Sequence, residues 1–328
     1  MIFDQVSDPE KMSVLEDRDS LFPIQFPDLW KYYKQQLSTF WTSNEIDLSQ
    51  DPKDYERASP EIKQLLEVVL SFFAFADKLV MKNVSENFLS DARCPEAVSF
   101  YNAQNLIETI HAEVYSDCIV TIITDKKRQR EIQDSVQTYD SVKIKKSFCE
   151  EWLQSERPFA ERLVAFASVE GLLFSASFAS IYYLKELNIF SGTTVANELI
   201  SRDENLHRDF AVALFHHLPE PDKCSIETIK DIVISAVDTE MLFVSECIPE
   251  SGLKNFYRKD LQDYVRFLAD ILLTDLGCPK HFNVSLPKNL AFMNKMSIET
   301  KGNFFETRIT SYQKFEPAAT LELDDDDF

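Results

Sequence analysis

The stretch FYNAQNLIETIHAEVYSDCIVTIIT, from Phe100 to Thr124, is the most informative part of the sequence. It is too apolar for a surface helix, yet Glu108, His111 and Tyr115 lie in its middle. Residues three and four apart share a face of an α-helix, so these three side chains point the same way. Because burying such groups without partners is costly, we expect them to meet polar partners from other helices.

Composition favours a helical protein. The chain has 328 residues, 45% of them hydrophobic, with 26 phenylalanines, which is enough for a thick core and excludes wholesale disorder. Only 5 glycines leave little material for tight β-turns or phosphate-binding loops. We therefore predict an all-α fold.

The charge and the cysteines limit the partners and the compartment. A net charge of −21 argues against a nucleic-acid partner and fits an acidic surface or carboxylates that bind cations. The six cysteines are scattered without a Cys-x-x-Cys pair, which indicates a reducing, cytoplasmic setting. The first residues, MIFDQVSDPEKM, have no features of a signal peptide.

Apolar periodicity and capping residues predict the helices. Ser59 is the expected cap of a helix that starts at Pro60, and Thr193 or Thr194 the expected cap of another that stops before Pro219. The helices are expected over residues 28–43, 60–89, 100–124, 135–151 (on the surface side), 163–184, 194–218, 225–247 and 256–275. They divide the chain into an N-terminal arm (1–25), a helical domain (26–302) and a flexible acidic tail (303–328).

The run from Leu163 to Leu184 is long enough to span a bilayer. Glu170 lies inside it, and a carboxylate there would be costly in lipid. We interpret the run as a central core helix and expect no membrane association.

Two Glu-x-x-His motifs and two single acids suggest a metal site. The motifs are Glu108/His111 and Glu204/His207, and Asp77 and Glu170 each lie inside another apolar helix. Four carboxylates and two imidazoles suit iron or manganese, whereas a structural zinc site would favour sulfur. This is the known ligand pattern of ferritin-like bundles that bind two metal ions.

The alternative is a set of ordinary buried polar groups or ion pairs between helices. That alternative has to pair four buried acids with few basic groups: Arg162, Lys185 and Arg202 are candidates, but two of them lie at helix ends. The metal interpretation is therefore preferred.

Tyr115 is either an ordinary core tyrosine or a redox-active one. Phe174 and Phe178 follow Glu170 by one and two helical turns, and Ile200 precedes Glu204 by one turn. These apolar side chains should face the metal layer and exclude water from it. A phenol in such a place suits a stored tyrosyl radical.

The sequence closely resembles the small, radical-generating subunit of class I ribonucleotide reductase, of the eukaryotic and large-DNA-virus type. The resemblance extends from about Ser20 to the C-terminus. The matching stretches are FWTSNEIDLS (Phe40–Ser49), FFAFADKLV (Phe72–Val80), IETIHAEVYS (Ile107–Ser116), VEGLLFSASFASI (Val169–Ile181), NELISRDENLHRDFA (Asn197–Ala211) and NFFETRITSYQ (Asn303–Gln313).

The resemblance implies a ferritin-like fold with two iron ions, manganese not being excluded. One ion would be held by Asp77, Glu108 and His111, and the other by Glu170, Glu204 and His207. Oxygen-dependent oxidation would place a radical on Tyr115. The presence of this tyrosine disfavours the subclass that has phenylalanine there and a manganese–iron centre.

The resemblance also implies a route for the radical and a partner. Trp41 and Asp203 match the relay residues, and Tyr312 the tyrosine that passes the radical onward; taken alone, Trp41 could be a packing residue and Asp203 a surface acid. The large subunit would bind the tail through Leu321, Leu323 and Phe328, and the small subunit would be a homodimer in the cytoplasm, or in the host cytoplasm if viral. The short N-terminus and the four aspartates before Phe328 depart from the usual pattern.

Three functions follow from these residues. The first is the small subunit of ribonucleoside-diphosphate reductase, which is consistent with the lack of a glycine-rich phosphate loop. The second is an iron-oxidising protein of the ferritin type, which would not need Trp41, Tyr115 or a docking tail. The third is a di-iron oxygenase or desaturase, which would need a substrate channel through the phenylalanine shell. The first is preferred.

Overall fold

Long apolar helices form the centre of the fold. The computed structural model describes residues 12–134, 138–153 and 156–293. The helices there are α1 (Pro27–Ser38), α2 (Asp51–Arg57), α3 (Pro60–Asn83), α4 (Leu89–Asp91), α5 (Pro95–Ile122), α6 (Lys126–Gln133), α7 (Asp140–Trp152), α8 (Phe159–Ser168), α9 (Ser175–Glu186), α10 (Ser191–His217), α11 (Ile226–Cys247) and α12 (Arg258–Asp275). Strand pairing in these ranges is limited to one bridge, Leu253 to Phe256. The all-α prediction is confirmed.

Helix α5, the centre of the sequence argument, is packed between α3 and α1. Ser59 caps α3 as predicted: its side-chain oxygen accepts a hydrogen bond from the Ile62 backbone N–H. Beyond α3 the chain passes through a π-helical turn, Val84–Phe88, into α4. This packing covers the face of α5 that carries Glu108, His111 and Tyr115, so these three residues are buried, whereas Glu113 and Asp117 on the other side are exposed.

The apolar run that includes Glu170 is a core element. Helices α8 and α9 are joined through a π-helical turn, Val169–Leu173, and the whole stretch Phe159–Glu186 has the length and composition of a membrane span. Its most apolar window is 94% buried inside the protein, against α10, α11 and their neighbours. This burial supports the core-helix interpretation.

The predicted start of α10 was wrong. The helix begins at Ser191, preceded by Phe190 with a left-handed φ of 57°, and not at Thr193 or Thr194. The cap comes from α2: Asp51 accepts hydrogen bonds from the backbone N–H groups of Gly192 (3.0 Å) and Thr193 (2.8 Å). A Cβ on Gly192 would lie 2.3 Å from the Asp47 carbonyl oxygen, so only glycine allows this close approach. A cap from a distant segment leaves no local sequence signal.

The helix predicted within residues 135–151 was expected to lie on the protein surface, but one of its lysines is in the core. The charged stretch before them forms α6, capped by Asp125, and α7 buries Lys145 completely. The Lys145 ammonium lies 2.7 Å from Glu240 of α11. A lysine is rarely buried unless paired, so its partner on a distant helix decided its position.

The described residues up to Ala291 belong to one compact unit. The predicted domain limit at 302 and the acidic tail 303–328 lie outside the described residues. The predicted domain limits remain predictions.

Candidate metal centre

Four segments supply the predicted metal ligands. Asp77 comes from α3, Glu108 and His111 from α5, Glu170 from the π-helical turn, and Glu204 and His207 from α10. All six side chains are at most 3% exposed. Ligand atoms of Glu108, Glu170, Glu204 and His207 lie within 4.8 Å of one another. These four residues, which come from α5, the π-helical turn and α10, therefore meet in one buried place. His111 joins them through Glu204, 2.9 Å away. Asp77 of α3 lies outside this group, although the charges of Glu108 and His111 act on its pKa.

The two Glu-x-x-His motifs face each other across this place. His111 Nδ1 lies 3.4 Å from Glu108 and 2.9 Å from Glu204. His207 Nδ1 lies 3.0 Å from both of these carboxylates. Each glutamate thus reaches both imidazoles, an arrangement suited to carboxylates that bridge two cations.

The buried carboxylates need positive charge. Both oxygens of Asp77 are buried without a hydrogen-bond partner in the described protein. Burial, and then the charge of Glu108, raises the pKa of Asp77 well above its usual value. Burial, followed by Glu204 and Glu108, does the same to Glu170. Unpartnered oxygens among mutually repelling acids and two imidazoles fit a pair of divalent cations, so the cluster is a di-metal site.

One carboxylate links a tryptophan to the cluster. Asp203 Oδ2 accepts a hydrogen bond from the Trp41 indole N–H at 2.8 Å and lies 3.3 Å from His111 Nε2. The Trp41 and His111 rings are stacked at 5.9 Å between centroids. Burial alone would raise the pKa of Asp203, but the His111 hydrogen bond, the charge of Arg202 and the Trp41 hydrogen bond hold it below its usual value.

Two glutamines beside the ligands were missed from the sequence. Gln36 Oε1 lies 3.0 Å from His207 Nε2, so it pairs with the ring nitrogen that points away from the cluster. Gln104 donates to Glu108 (3.3 Å) and Glu170 (3.4 Å). Their spacing could have predicted that they are buried. Gln36 follows Leu29 by two helical turns on the buried face of α1, and Gln104 precedes Glu108 by one turn.

Tyr115 lies at the edge of a cluster of aromatic rings. It is 3% exposed and stacks on Phe73 with 4.2 Å between ring centroids. Phe73 in turn packs against Phe178 (5.5 Å) and Phe174 (5.9 Å), and Ile200 is fully buried. The predicted phenylalanines are in place, whereas Phe73, the ring in direct contact, was not predicted.

The Tyr115 hydroxyl is buried and has no hydrogen-bond partner in the described protein. Burial, and then the charge of Asp77, raises the pKa of this phenol well above its usual value. The phenol therefore stays neutral at physiological pH, next to the acids of the cluster. The predicted residues Tyr312, Leu321, Leu323 and Phe328 lie outside the described residues.

A helical fold with four carboxylates and two imidazoles on facing helices defines the class of di-metal carboxylate proteins. Within this class, residues 18–289 match the family model described as ribonucleotide reductase, small chain. The chain therefore belongs to the ribonucleotide reductase small-chain family and has the enzymatic function of that family.

Individual relatives agree with this assignment. The ribonucleoside-diphosphate reductase small chain of Yaba-like disease virus is 42% identical, over 90% of this chain and 89% of its own. The corresponding small chain of vaccinia virus (strain Ankara) is 40% identical, over 91% of this chain and 92% of its own. A solved ribonucleotide reductase homodimer of Saccharomyces cerevisiae has a TM-score of 0.76 and 32% identity, covering 87% of this chain and 91% of that one.

Proposed function

We propose that this small chain generates and stores a tyrosyl radical on Tyr115 and passes it to a large subunit that reduces ribonucleotides to deoxyribonucleotides. The observation that supports this most directly is the phenol itself. Tyr115 is buried, lacks a hydrogen-bond partner in the described protein and stacks on Phe73, so water and reductants have little access to it. These are the surroundings that a long-lived radical requires.

In this proposal, Asp77, Glu108 and His111 hold one metal ion and Glu170, Glu204 and His207 the other. Glu108 and Glu204 are the candidates for shared ligands because each approaches both histidines. We propose iron as the resident metal, with manganese as the second candidate, since both accept carboxylate and imidazole ligands. When bound, the metal pair would supply the oxidising power, drawn from dioxygen, that removes an electron from a phenol.

The protein's own groups determine what happens to Tyr115. The raised pKa keeps the phenol protonated at rest. Oxidation would therefore remove one electron, taken up by the metal pair, together with the phenolic proton, because an oxidised phenol is a far stronger acid. Asp77, the carboxylate whose charge acts most on this phenol, is the proposed proton acceptor. Phe73, Phe174 and Phe178 exclude water, which would otherwise give reductants a path to the radical.

We propose Trp41, Asp203 and His111 as the relay between the centre and the large subunit. Asp203 Oδ2 contacts both the Trp41 indole N–H and His111 Nε2. A proton could therefore be transferred between these groups when an electron passes through them. Tyr312 would receive the radical next. The tail residues Leu321, Leu323 and Phe328 would bind the large subunit, with apolar anchors among acids that steer the approach.

The assembly and compartment are also proposals. The yeast structure is a homodimer, and a homodimer is the form we propose for this chain. The six cysteines are all free, which supports a reducing cytoplasm, that of the host if the chain is viral.

The deciding experiment is low-temperature EPR on the full-length protein. The protein is loaded with ferrous ion in the absence of oxygen and is then exposed to oxygen. A tyrosyl signal is expected in the parent and none in Tyr115→Phe, which keeps the ring and its packing. Iron oxidation without a radical in either protein would favour a ferroxidase or an oxygenase. A radical that persists in Tyr115→Phe would move the assignment to another tyrosine.

A further inference from the structure

The helical stretch that carries Glu170 is interrupted at Glu170 itself. The π-helical turn Val169–Leu173 contains Glu170, and regular α-helix resumes only at Ser175. Phe174, which packs against Phe73 beside Tyr115, is the residue at the junction. The conformation of this junction therefore affects both a metal ligand and the wall of the tyrosine pocket.

Two buried charges from other helices bind the backbone on either side of the junction. The Lys145 ammonium of α7 donates a hydrogen bond to the Leu173 carbonyl oxygen. Glu240 of α11 accepts one from the Ala176 N–H at 3.1 Å, and the two charges lie 2.7 Å apart. Both residues are fully buried. The ion pair thus spans the interruption in the helix.

The same ammonium contacts the aromatic wall. Lys145 Nζ lies 3.7 Å from the centroid of the Phe72 ring and 3.5 Å from that of Phe243. Phe72 packs on Phe174 with 5.1 Å between centroids. Lys145 therefore restrains Phe174 in two ways. It binds the carbonyl oxygen of the preceding residue, Leu173, and it contacts the Phe72 ring that packs on Phe174.

We propose that Lys145 and Glu240 are positioning residues for the di-metal centre, which fix the helix junction so that Glu170 faces the other ligands and Phe174 closes the Tyr115 pocket. The inference rests on the proposed function, because it assumes that the cluster binds metal.

Stability alone is a poor explanation for this pair. A buried ion pair is often replaced by apolar residues of similar volume without loss of stability. Burial also lowers the pKa of Lys145 and raises that of Glu240 to about 7, so the folded protein disfavours both charges. What apolar residues cannot supply is the donor to Leu173 and the acceptor for Ala176.

The test compares two double variants of the full-length, metal-free protein. Lys145→Met with Glu240→Leu removes both charges and both backbone partners. Lys145→Met with Glu240→Gln removes the charges but keeps an acceptor for the Ala176 N–H. Each is titrated with Co²⁺ without oxygen and followed by the visible absorption bands, which report ligand geometry, and circular dichroism checks that each variant is folded.

The leucine variant should bind Co²⁺ about tenfold more weakly, or worse, with altered bands, as is common when groups behind metal ligands are removed. The glutamine variant should recover part of the affinity. A control removes another ion pair, between half-buried Arg18 and buried Glu96 at the start of α5 (Arg18→Met with Glu96→Leu), which should leave the Co²⁺ bands unchanged.

A folded variant of either kind that binds two Co²⁺ with the parent's affinity and spectrum would overturn the positioning role. If the leucine variant does not fold, the glutamine variant alone decides by the same criterion. A parent protein that binds no Co²⁺ would instead overturn the metal centre itself, and with it this inference, so the two failures are distinguishable.

Discussion

His111 and His207 are oriented in the same way but by different partners. Each directs Nδ1 at the carboxylates of Glu108 and Glu204, and Nε2 away from them. Behind His111 is the carboxylate of Asp203, and behind His207 the amide of Gln36. A carboxylate makes the imidazole a stronger electron donor than an amide does. If His111 and His207 each hold one metal ion, as proposed, the two metal positions would be electronically unequal.

The role of Gln36 is testable by Gln36→Leu, which is close in size but offers no acceptor to His207. We expect metal affinity to fall 10- to 100-fold, the usual effect of losing a group that orients a ligand. Co²⁺ titration measures this effect. The same substitution at the neighbouring, half-buried Gln35 is the control and should leave the affinity near the parent's. Equal affinities in the Gln36 variant and the parent would contradict the orienting role.

Glu240 should make the metal-free protein less stable as pH rises. Burial raises its pKa from 4.5 to about 7, opposed by Lys145. Between these values the folded protein holds a proton that the unfolded chain has released. The contribution of protonated Glu240 to the free energy of unfolding is therefore complete below about pH 4.5, and it is lost as pH rises through 7.

The measurement is urea unfolding of the metal-free parent and of the Lys145→Met, Glu240→Leu variant at several pH values between 5 and 7.5. The stability of the parent relative to the variant should decrease over this range, since the variant lacks the titrating carboxyl. A difference that stays constant or increases would show that Glu240 keeps an ordinary pKa.

At the scale of elements, the start of α10 depends on a residue from α2. Asp51 accepts two backbone N–H groups and the Thr193 hydroxyl, so it satisfies donors that α10 cannot satisfy itself. Helix α10 supplies Asp203, Glu204 and His207. The cap thus fixes the helix that carries two of the predicted ligands and the predicted relay residue Asp203.

Asp51→Ala should lower the free energy of unfolding by about 1–3 kcal/mol, because it removes a cap and leaves buried N–H groups unpaired. Urea unfolding of the metal-free protein is the measurement. Ser59→Ala, which removes the exposed cap of α3, is the comparison and should cost less, about 1 kcal/mol. An Asp51 variant no less stable than the Ser59 variant would contradict this account.

At the scale of the molecule, the di-metal site connects segments that are far apart in sequence. Its predicted ligands extend from Asp77 to His207 and come from α3, α5, the π-helical turn and α10. Ions that bind only when these segments are packed together stabilise the folded state by mass action.

Metal should therefore raise the melting temperature, by an amount equivalent to about 2.7 kcal/mol per site at a free concentration 100 times the dissociation constant. Calorimetry with and without Mn²⁺ measures the shift. Asp77→Ala should lose much of it, whereas Tyr115→Phe should keep it. A full shift in the Asp77 variant would remove Asp77 from the ligand set.

Local sequence patterns predicted the long helices and the cap at Ser59, because both depend on neighbouring residues. The six ligand candidates could be named because Glu-x-x-His spacing places two ligands on one helical face. The cap at Asp51 and the burial of Lys145 could not be predicted, since each depends on a partner more than ninety residues away.

By itself, the sequence determined which side chains are polar inside apolar helices, and hence which chemistry they can perform. Only the tertiary structure decided which of them meet: Glu108 and Glu204 between both histidines, Asp203 between Trp41 and His111, Phe73 on Tyr115. The physical reason is that helical periodicity fixes the direction of a side chain on its own helix. Its distance to a partner depends on how the helices pack.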